Sequence, residues 1–227
     1  MRLSWLYLTG FVRSDCYATF TTQTLRHNRQ ALGYKNYETP QPHPVEKERL
    51  EALHSLGLLD SQKDERFERF VRLAKALCDV PIAAVSLVDV NRQWFLGCAG
   101  LGVSETSREI SFCGHAILEK SVLYIPDTKA DLRFADNPLV TGDPYIRFYA
   151  GCPLYMPGYL PIGTLCIIDT HARTLKHDQM MRLRDLANCL QREIIMHKLI
   201  QDISLLTNSP ALAALSEPAY NLNDARY

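Results

Sequence analysis

Two neighbouring apolar runs, Tyr149–Met156 and Ile162–Ile168, constrain the fold of this chain more than any other feature. The connection between them contains Pro157, Gly158 and Pro161. Pro and Gly supply the fixed and permissive φ angles of a tight turn, so the two runs are predicted to form a β-hairpin. Both runs are nearly continuously apolar, which is typical of strands that are covered on two faces. The rest of the chain is therefore expected to pack on both sides of this hairpin.

The composition indicates a folded chain with no strong overall electric field. Of its 227 residues 47% are apolar, and 25 basic side chains balance 25 acidic ones. A net charge of zero gives no general attraction to nucleic acid or to an anionic membrane, and the sequence predicts neither as a partner.

The cysteines are scattered along the chain, and none belongs to a CxxC pair. The seven are Cys16, Cys78, Cys98, Cys113, Cys152, Cys166 and Cys189. Scattered cysteines inside apolar runs are typical of free thiols in a reducing compartment, which predicts a cytoplasmic location. No two Cys or His pairs have the spacing of zinc ligands, so no metal site is predicted, and the residues identify no cofactor.

The two ends of the chain are predicted to lie outside the folded domain. Residues 1–43 show no sustained helical or strand period and end in the proline-rich stretch TPQPHP, so they are predicted to be a poorly ordered extension and linker. Their apolar start, residues 1–12, is too short to span a membrane. The domain is predicted over residues 44–200, and residues 201–227 are predicted to be a loose tail.

Between these ends the pattern predicts an α+β domain. Apolar residues at helical spacing predict helices over Glu46–Leu56 and Asp64–Cys78, and a long final helix over Leu175–Leu199. Between the second and the last helix, the other predicted elements are the strands Ile82–Asp89, Gln93–Cys98 and Val122–Ile125, the short helix Ser111–Glu119 and the irregular loop Asp127–Val140. Hairpin connections make the sheet mostly antiparallel, with helices on its faces.

Six phrases along this part of the chain resemble those of a GAF domain. They are ERLEALHSLGLLD (48–60), VSLVDVNRQWF (85–95), GLGVSETSREISFCGHAI (100–117), DTKADLRFADNPLV (127–140), RFYAGCPL (147–154) and GTLCIIDTHAR (163–173). The resemblance is to GAF domains found ahead of GGDEF or histidine-kinase modules in bacterial sensors. It implies a central antiparallel sheet of six strands, a ligand-sized cavity on one sheet face, and a homodimer made by the terminal helices.

One departure from that branch bears on the output of the domain. No GGDEF, kinase or DNA-binding module follows the last predicted helix in this sequence. A signal is therefore expected to leave through the dimer or through a separate output protein, unless the sequence is a fragment of a larger sensor.

Cys113 and His115 are the strongest candidates for catalytic residues. A nearby imidazole lowers the pKa of a thiol, and the thiolate is the reactive form. GAF-type free methionine-(R)-sulfoxide reductases carry a similar Cys-Gly step, but they also use a cysteine in the following loop, and Asp127–Val140 contains none. The alternative is that Cys113 is packed in a helix beside a hydrogen-bonded His115.

The sequence lacks the motifs that accompany two other ligands of GAF domains. Attachment of a bilin chromophore uses a Cys directly followed by His, whereas Gly114 separates Cys113 from His115. The Asn-Lys…Phe…Asp-Glu pattern of cyclic-nucleotide-binding GAF domains is also missing.

Charged residues in the turns at the strand ends admit two interpretations. They are Asp89, Arg92, Arg108, Asp127, Asp131, Arg133, Asp136 and Arg147. The arginines can clamp a small anion, or the whole set can form ion pairs that tie the loops to the sheet.

The sequence therefore predicts a non-catalytic sensory or regulatory domain that binds an unidentified small molecule. The candidate ligand-binding residues are Trp94, Phe95, Phe112, Cys113, His115, Arg133, Phe134, Arg147 and Tyr149. The alternatives are a thiol reductase that acts on a small sulfoxide and a structural interaction domain whose pocket is filled.

Overall fold

A six-stranded antiparallel sheet forms the centre of the molecule, as the computed structural model shows for residues 36–207, the part of the chain that it describes. The strands are β1 (Ile82–Val88), β2 (Arg92–Ala99), β3 (Glu105–Ser107), β4 (Leu123–Ile125), β5 (Phe148–Met156) and β6 (Leu160–Asp169). The helices are α1 (Glu46–His54), α2 (Glu65–Cys78), α3 (Phe112–Ala116), α4 (Pro138–Thr141) and α5 (His177–Thr207). A 3-10 turn, Arg108–Ile110, lies before α3. The predicted α+β fold class is confirmed.

The spatial order of the strands is β3-β2-β1-β6-β5-β4, and each neighbouring pair is antiparallel. The predicted hairpin is β5–β6, and β6 pairs on its other side with β1. Every residue of β1 is buried, as expected for a strand covered on both faces. At the β1–β6 contact a Cβ on Gly163 would lie 1.9 Å from the Ser86 carbonyl oxygen, so only glycine allows the strands to approach this closely.

One face of the sheet is covered by the three longer helices. The side chain of Asp64 caps the start of α2 by accepting a hydrogen bond from the Arg66 N–H at 2.8 Å, and Asp79 in the left-handed conformation ends the helix. The buried side of α2 carries Phe67, Phe70, Val71, Ala74 and Cys78. These side chains pack with Leu53, Leu56 and the buried stripe of α5, which consists of Leu183, Ala187, Leu190 and Ile194.

The opposite face is covered by much less secondary structure. Among the described residues it is covered by the five-residue helix α3, the one-turn helix α4 and irregular segments around residues 101–106 and 126–147. Phe134 and Val140 of the second segment are buried, although the sequence predicted a surface loop there. Two apolar layers thus enclose the sheet, and the second layer is short and loop-rich.

Several elements differ from the sequence-based prediction. Helix α3 is shorter than the predicted Ser111–Glu119, α4 lies at the end of the predicted loop Asp127–Val140, and β3 and α5 differ most. Strand β3 was not predicted, because its three residues, Glu105–Ser107, are polar and form the edge of the sheet without an apolar pattern. Helix α5 continues eight residues beyond its predicted end at Leu199, to Thr207. No Gly or Pro interrupts the chain between those positions, and Lys198 pairs with Asp202 at 2.6 Å across one helical turn. The first part of the predicted tail is therefore helical.

The linker before α1 lies against the short helix α3. The Glu38 N–H donates to the Arg133 carbonyl at 3.0 Å, and the Glu38 carbonyl is 3.0 Å from the ring nitrogen Nε2 of His115. A Cβ on Gly114 would lie 2.7 Å from the Pro40 ring, so glycine makes room for this crossing. The rest of the predicted extension, residues 1–35, and the last twenty residues of the predicted tail, 208–227, lie outside the described residues.

A buried arginine joins α1 to the central sheet. The Arg49 side chain is fully buried, its Nη1 donates to the Val88 carbonyl at 2.7 Å, and its Nε donates to Glu46 at 2.9 Å. Glu46 also accepts from Arg108 Nη2 at 3.2 Å, on the 3-10 turn. The group therefore connects the start of α1, the end of β1 and the residues before α3.

Replacement of the buried arginine tests this connection. We expect Arg49→Met to lower the free energy of unfolding by about 2 to 4 kcal/mol, because a buried carbonyl and a carboxylate lose their donor. Arg182→Met is the matched control: Arg182 pairs with Asp178 on the exposed side of α5 at 3.2 Å, and its loss is expected to change stability by about 0.5 kcal/mol at most. Urea denaturation of both variants measures the difference, and equal effects would contradict the assigned role of Arg49.

The same group predicts a dependence of stability on acid pH. Burial raises the pKa of Glu46, but hydrogen bonds from Arg108, Arg49 and the His43 N–H outweigh it and bring the pKa to about 2, from an ordinary value of 4.5. A carboxyl with a lowered folded-state pKa stabilises the fold above its ordinary pKa, and the contribution is lost as pH falls to the folded-state value. The stability difference between the wild type and Glu46→Gln is therefore expected to be largest at neutral pH and to shrink between about pH 4.5 and pH 2. Urea titrations across that range measure it, and a constant difference would refute the assignment.

Candidate functional site

A cavity of about 240 Å³ lies between the sheet and its loop-rich cover. Strands β2, β5 and β6 form its floor, α3 forms one wall, and the segments around residues 101–106 and 139–146 complete it. The lining residues are Gln93, Phe95, Leu101, Gly102, Val103, Thr106, Phe112, Cys113, Leu139, Asp143, Pro144, Ile146, Tyr149, Cys166 and Ile168. Most are apolar, and none of these described residues is Arg or Lys, so the interior offers no positive charge to an anionic ligand.

One buried amide provides the main polar feature of the wall. Gln93 is 5% exposed, and its Nε2 donates to the Thr106 hydroxyl at 2.8 Å. Its carbonyl oxygen Oε1 accepts from the Ser111 hydroxyl. Ser111 also caps α3 by accepting from the Gly114 N–H at 2.8 Å, so the same hydroxyl fixes both the amide and the helix. The amide is thereby held at the junction of β2 and α3.

Two thiols and a phenol meet at another part of the wall. The sulfurs of Cys113 on α3 and Cys166 on β6 are 3.9 Å apart, and the Tyr149 hydroxyl donates to Cys113 at 3.4 Å. The neighbouring Cys166 thiol lowers the pKa of Cys113, and the hydroxyls of Thr164 and Tyr149 add to this effect and together outweigh burial, which raises it. The pKa of Cys166 is raised well above its ordinary value, first by its partner Cys113 and then by burial. Burial likewise raises the pKa of Tyr149, which therefore remains a donor.

A glycine on the same strand fixes the position of the tyrosine. A Cβ on Gly151 would lie 2.2 Å from the Tyr149 hydroxyl, so the phenol lies over the space that a side chain at position 151 would fill. Its ring also packs against Phe112, with centroids 5.1 Å apart. Strand β5, Gly151 and Phe112 together orient the Tyr149 hydroxyl toward Cys113.

Four of the nine predicted ligand-binding residues line the cavity: Phe95, Phe112, Cys113 and Tyr149. Phe134 and His115 lie behind this lining rather than in it. Phe134 stacks on Phe112 with centroids 4.4 Å apart, and His115 meets the Phe134 ring edge-on at 4.9 Å. Burial lowers the pKa of His115, which contacts the Glu38 carbonyl. Among the hydrogen bonds of the described residues, none joins His115 to Cys113, the two candidate catalytic residues.

The other three predicted residues lie away from the cavity. Trp94 packs against the helix-covered face, because successive residues of a strand point to opposite sides. Arg133 and Arg147 are bound by carboxylates of the covering segment: Arg133 Nη2 is 2.7 Å from Asp131, and Arg147 Nη2 is 2.8 Å from Asp127. These arginines form the ion pairs that the sequence analysis gave as the alternative to an anion clamp.

Several lining residues were not predicted from the sequence. Cys166 and Ile168 share a face of β6 and lie in the middle of a continuously apolar run, where only knowledge of the covered side identifies them. Gln93 is a polar residue two positions before Phe95 on the same strand face, and that spacing was an available signal. Leu101 and Val103 come from an irregular segment and Leu139 from the one-turn helix α4, and neither is long enough to show a periodicity that indicates direction.

Two properties of the described residues bear on other classes of site. Within residues 36–207 no three His, Cys, Asp or Glu side chains are arranged to hold a metal ion. No helix in the same part of the chain is long and apolar enough to span a bilayer.

The chain folds as an α+β domain with a cavity on one face of its antiparallel sheet, and comparison with known proteins identifies the family. The GAF domain family matches residues 62–194, so the chain belongs to the GAF domain family. It is 44% identical over 133 residues to a cyclic di-GMP phosphodiesterase of Pseudomonas aeruginosa. That match covers 58% of this chain and 23% of the relative, so the similarity extends over less than a quarter of the phosphodiesterase.

Solved structures agree on the fold. The GAF domain of an Acinetobacter phosphoenolpyruvate-protein phosphotransferase superposes with a TM-score of 0.50 at 16% identity, covering 66% of this chain and 94% of that one. The blue-light-absorbing form of the PixJ GAF domain from Thermosynechococcus elongatus gives a TM-score of 0.51 at 16% identity, covering 73% of this chain and 99% of that one. At such low identity the likeness shows the fold alone.

Proposed function

We propose that this GAF domain is a non-catalytic sensor that binds a compact, mainly apolar molecule in the cavity beside α3. The observation that carries the proposal is the cavity itself: about 240 Å³, walled by apolar side chains, with one buried amide at Gln93. Ligand sites are typically apolar hollows with a few placed polar groups. The volume lies at the small end for such sites, which favours a ligand of few heavy atoms.

The charges around the cavity further restrict the ligand. The lining contains no described cation, and Asp143 lies at its exposed edge. A phosphate-bearing ligand would lose its hydration without gaining a positive partner, which is costly. We therefore propose a neutral ligand that carries one group able to hydrogen-bond to Gln93 or Thr106.

Strand β5 is the proposed route from the cavity to the output helix. Tyr149 of β5 faces the cavity, whereas Phe148, Ala150 and Cys152 belong to the core shared with α5. At the other end of the strand the Tyr155 N–H donates to Gln191 of α5 at 2.8 Å. A ligand shifts an equilibrium only through different affinities for two states, so the proposal requires β5 and α5 to pack differently in the two states.

The relative suggests the process that the signal serves. Because a 44% identical segment occurs in a cyclic di-GMP phosphodiesterase, we propose that this domain regulates an output protein in cyclic di-GMP turnover. The output protein is taken to be separate from the described domain and to be reached through α5.

A cavity-filling substitution tests ligand binding. Leu139 lies half-buried at the cavity edge, and Leu139→Trp is expected to occupy the space and to weaken binding at least about 10-fold. Leu132→Trp, in the same covering segment but exposed and outside the lining, is the matched control and is expected to bind as the wild type does.

The readouts are thermal shift with a small-molecule collection and native mass spectrometry of the full chain purified from its own host. A ligand at 100 times its Kd stabilises the folded state by about 2.7 kcal/mol, which is easily measured. If the wild type carries no bound molecule and no compound raises its Tm, the domain is a scaffold and not a sensor.

We also propose that the distal half of α5 forms a homodimer. Met196, Leu199, Ile203 and Leu206 are each at least half exposed, and their spacing of 3, 4 and 3 residues is that of a coiled-coil seam. The buried stripe of α5 ends at Ile194, and beyond it the helix keeps side contacts to its own domain, such as His197 Nε2 to the Leu56 carbonyl at 3.2 Å. The second stripe lies on the exposed side of this distal part of the helix. A second copy of the same helix is the occupant that matches a heptad stripe.

A pair of charges on the stripe tests the dimer. The double substitution Leu199→Glu and Ile203→Glu is expected to convert a dimer into a monomer, because four like charges would be buried at the seam. Leu205→Glu, which is equally exposed but off the stripe, is the control and is expected to remain dimeric. Light scattering after gel filtration at micromolar concentration reports the mass, and a monomeric wild type would refute the proposal.

A further inference from the structure

The two cavity thiols are placed for a reaction with each other. Cys113 is 2% exposed, Cys166 is fully buried, and both line the cavity with their sulfurs 3.9 Å apart. Cys78 and Cys152 are equally buried but belong to the core on the helix-covered face of the sheet. Two adjacent thiols that both face an internal hollow are therefore in contact with whatever small molecule enters it.

We propose that Cys113 and Cys166 are an oxidant-sensing pair that a small hydroperoxide entering the cavity converts into a disulfide. This inference rests on the cysteine geometry and not on the proposed ligand. It adds a covalent modification site to a domain whose proposed ligand binds reversibly.

The reaction is balanced in two steps. The Cys113 thiolate attacks one peroxide oxygen, the O–O bond breaks, and the products are a sulfenic acid and water or an alcohol once the leaving oxygen takes up a proton. The Cys166 sulfur then attacks the sulfenic sulfur, an S–S bond forms, and the hydroxyl leaves as water with the proton of the Cys166 thiol. Each cysteine sulfur loses one electron in total, and the two peroxide oxygens gain them.

The surroundings assign the two roles. Cys113 is the attacking group because it accepts a hydrogen bond from Tyr149 at 3.4 Å, and donors that stabilise a thiolate lower its pKa. Cys166 is the resolving group because its pKa is raised and it keeps its proton until the sulfenic acid has formed. Gly151 contributes indirectly by leaving room for the phenol that donates to Cys113.

Bond formation would change the cavity. A disulfide has an S–S distance of about 2.05 Å, so the two sulfurs must approach each other by about 2 Å. Cys113 belongs to a five-residue helix, and Cys166 belongs to a central strand paired on both sides. The short helix is fixed less firmly than the central strand. The disulfide is therefore expected to draw α3 toward β6 and to narrow the cavity.

The test uses the full chain, with hydrogen peroxide as the probe. Reduced protein is exposed to a small excess of peroxide, denatured, alkylated with N-ethylmaleimide and mapped by mass spectrometry without reduction. We expect five alkylated thiols instead of seven, and one linked peptide pair that joins Cys113 to Cys166. Cys152, whose pKa burial raises to about 12, is the internal control in the same sample and is expected to stay reduced.

Two variants assign the order of events. Cys166→Ser is expected to stop at the sulfenic acid of Cys113, which dimedone traps, and Cys113→Ser is expected to keep Cys166 alkylatable. Cys189→Ser removes an exposed thiol and is expected to leave the linked pair unchanged. Seven alkylated thiols in the wild type, or a link to the half-buried Cys98 in place of Cys166, would overturn the inference. The wild-type map decides this by itself, and neither of those results would touch the ligand proposal.

Discussion

The sheet must be covered on both faces, and within residues 36–207 long helices cover only one of them. Strands β1 and β6 are buried along nearly their whole length, so water has to be excluded from each side. Helices α1, α2 and α5 seal one side with a continuous apolar core. The other side is closed by a five-residue helix, one further helical turn and irregular backbone, whose own polar groups restrict how closely they can pack. A cavity remains where this cover meets the sheet, and the candidate site is a consequence of that unequal coverage.

The charged residues of the cover are used for structure. Arg133 and Arg147 each bind a carboxylate of their own segment, and Arg108 binds Glu46 of the first helix. These pairs tie segments of the cover in place outside the cavity, and the interior keeps its apolar lining. The sequence alone left two meanings for these arginines, because a clamp for an anion and a tie between loops require the same residue types in the same turns. Only the positions of their partners distinguish the two.

The sequence predicted the helices and strands that have strong periodicity. It missed the features that depend on which side of the sheet each side chain faces. Helix α2 and the β5–β6 hairpin follow from apolar spacing and from turn residues, whereas the polar edge strand β3 has no such pattern. Aromatic and cysteine content identified Phe112, Cys113 and Tyr149 as site residues. It also selected Trp94 and Phe134, because which face of a strand is hollow, and which ring lies in front of another, are properties of the packed structure. Cys166 was hidden for the same reason: inside an apolar run, a residue beside the cavity resembles its buried neighbours.

The linker crosses over α3 and so connects the chain before α1 to one wall of the cavity. Glu38 is hydrogen-bonded to Arg133 and contacts His115, and Pro40 rests on Gly114, one residue from Cys113. Helix α3 is thus clamped between this crossing on the outside and the cavity on the inside. Displacement of the linker would loosen α3, which forms one wall of the cavity, without a direct change to the sheet or to α5. The linker therefore meets the domain on the opposite side of the sheet from α5, the proposed output helix.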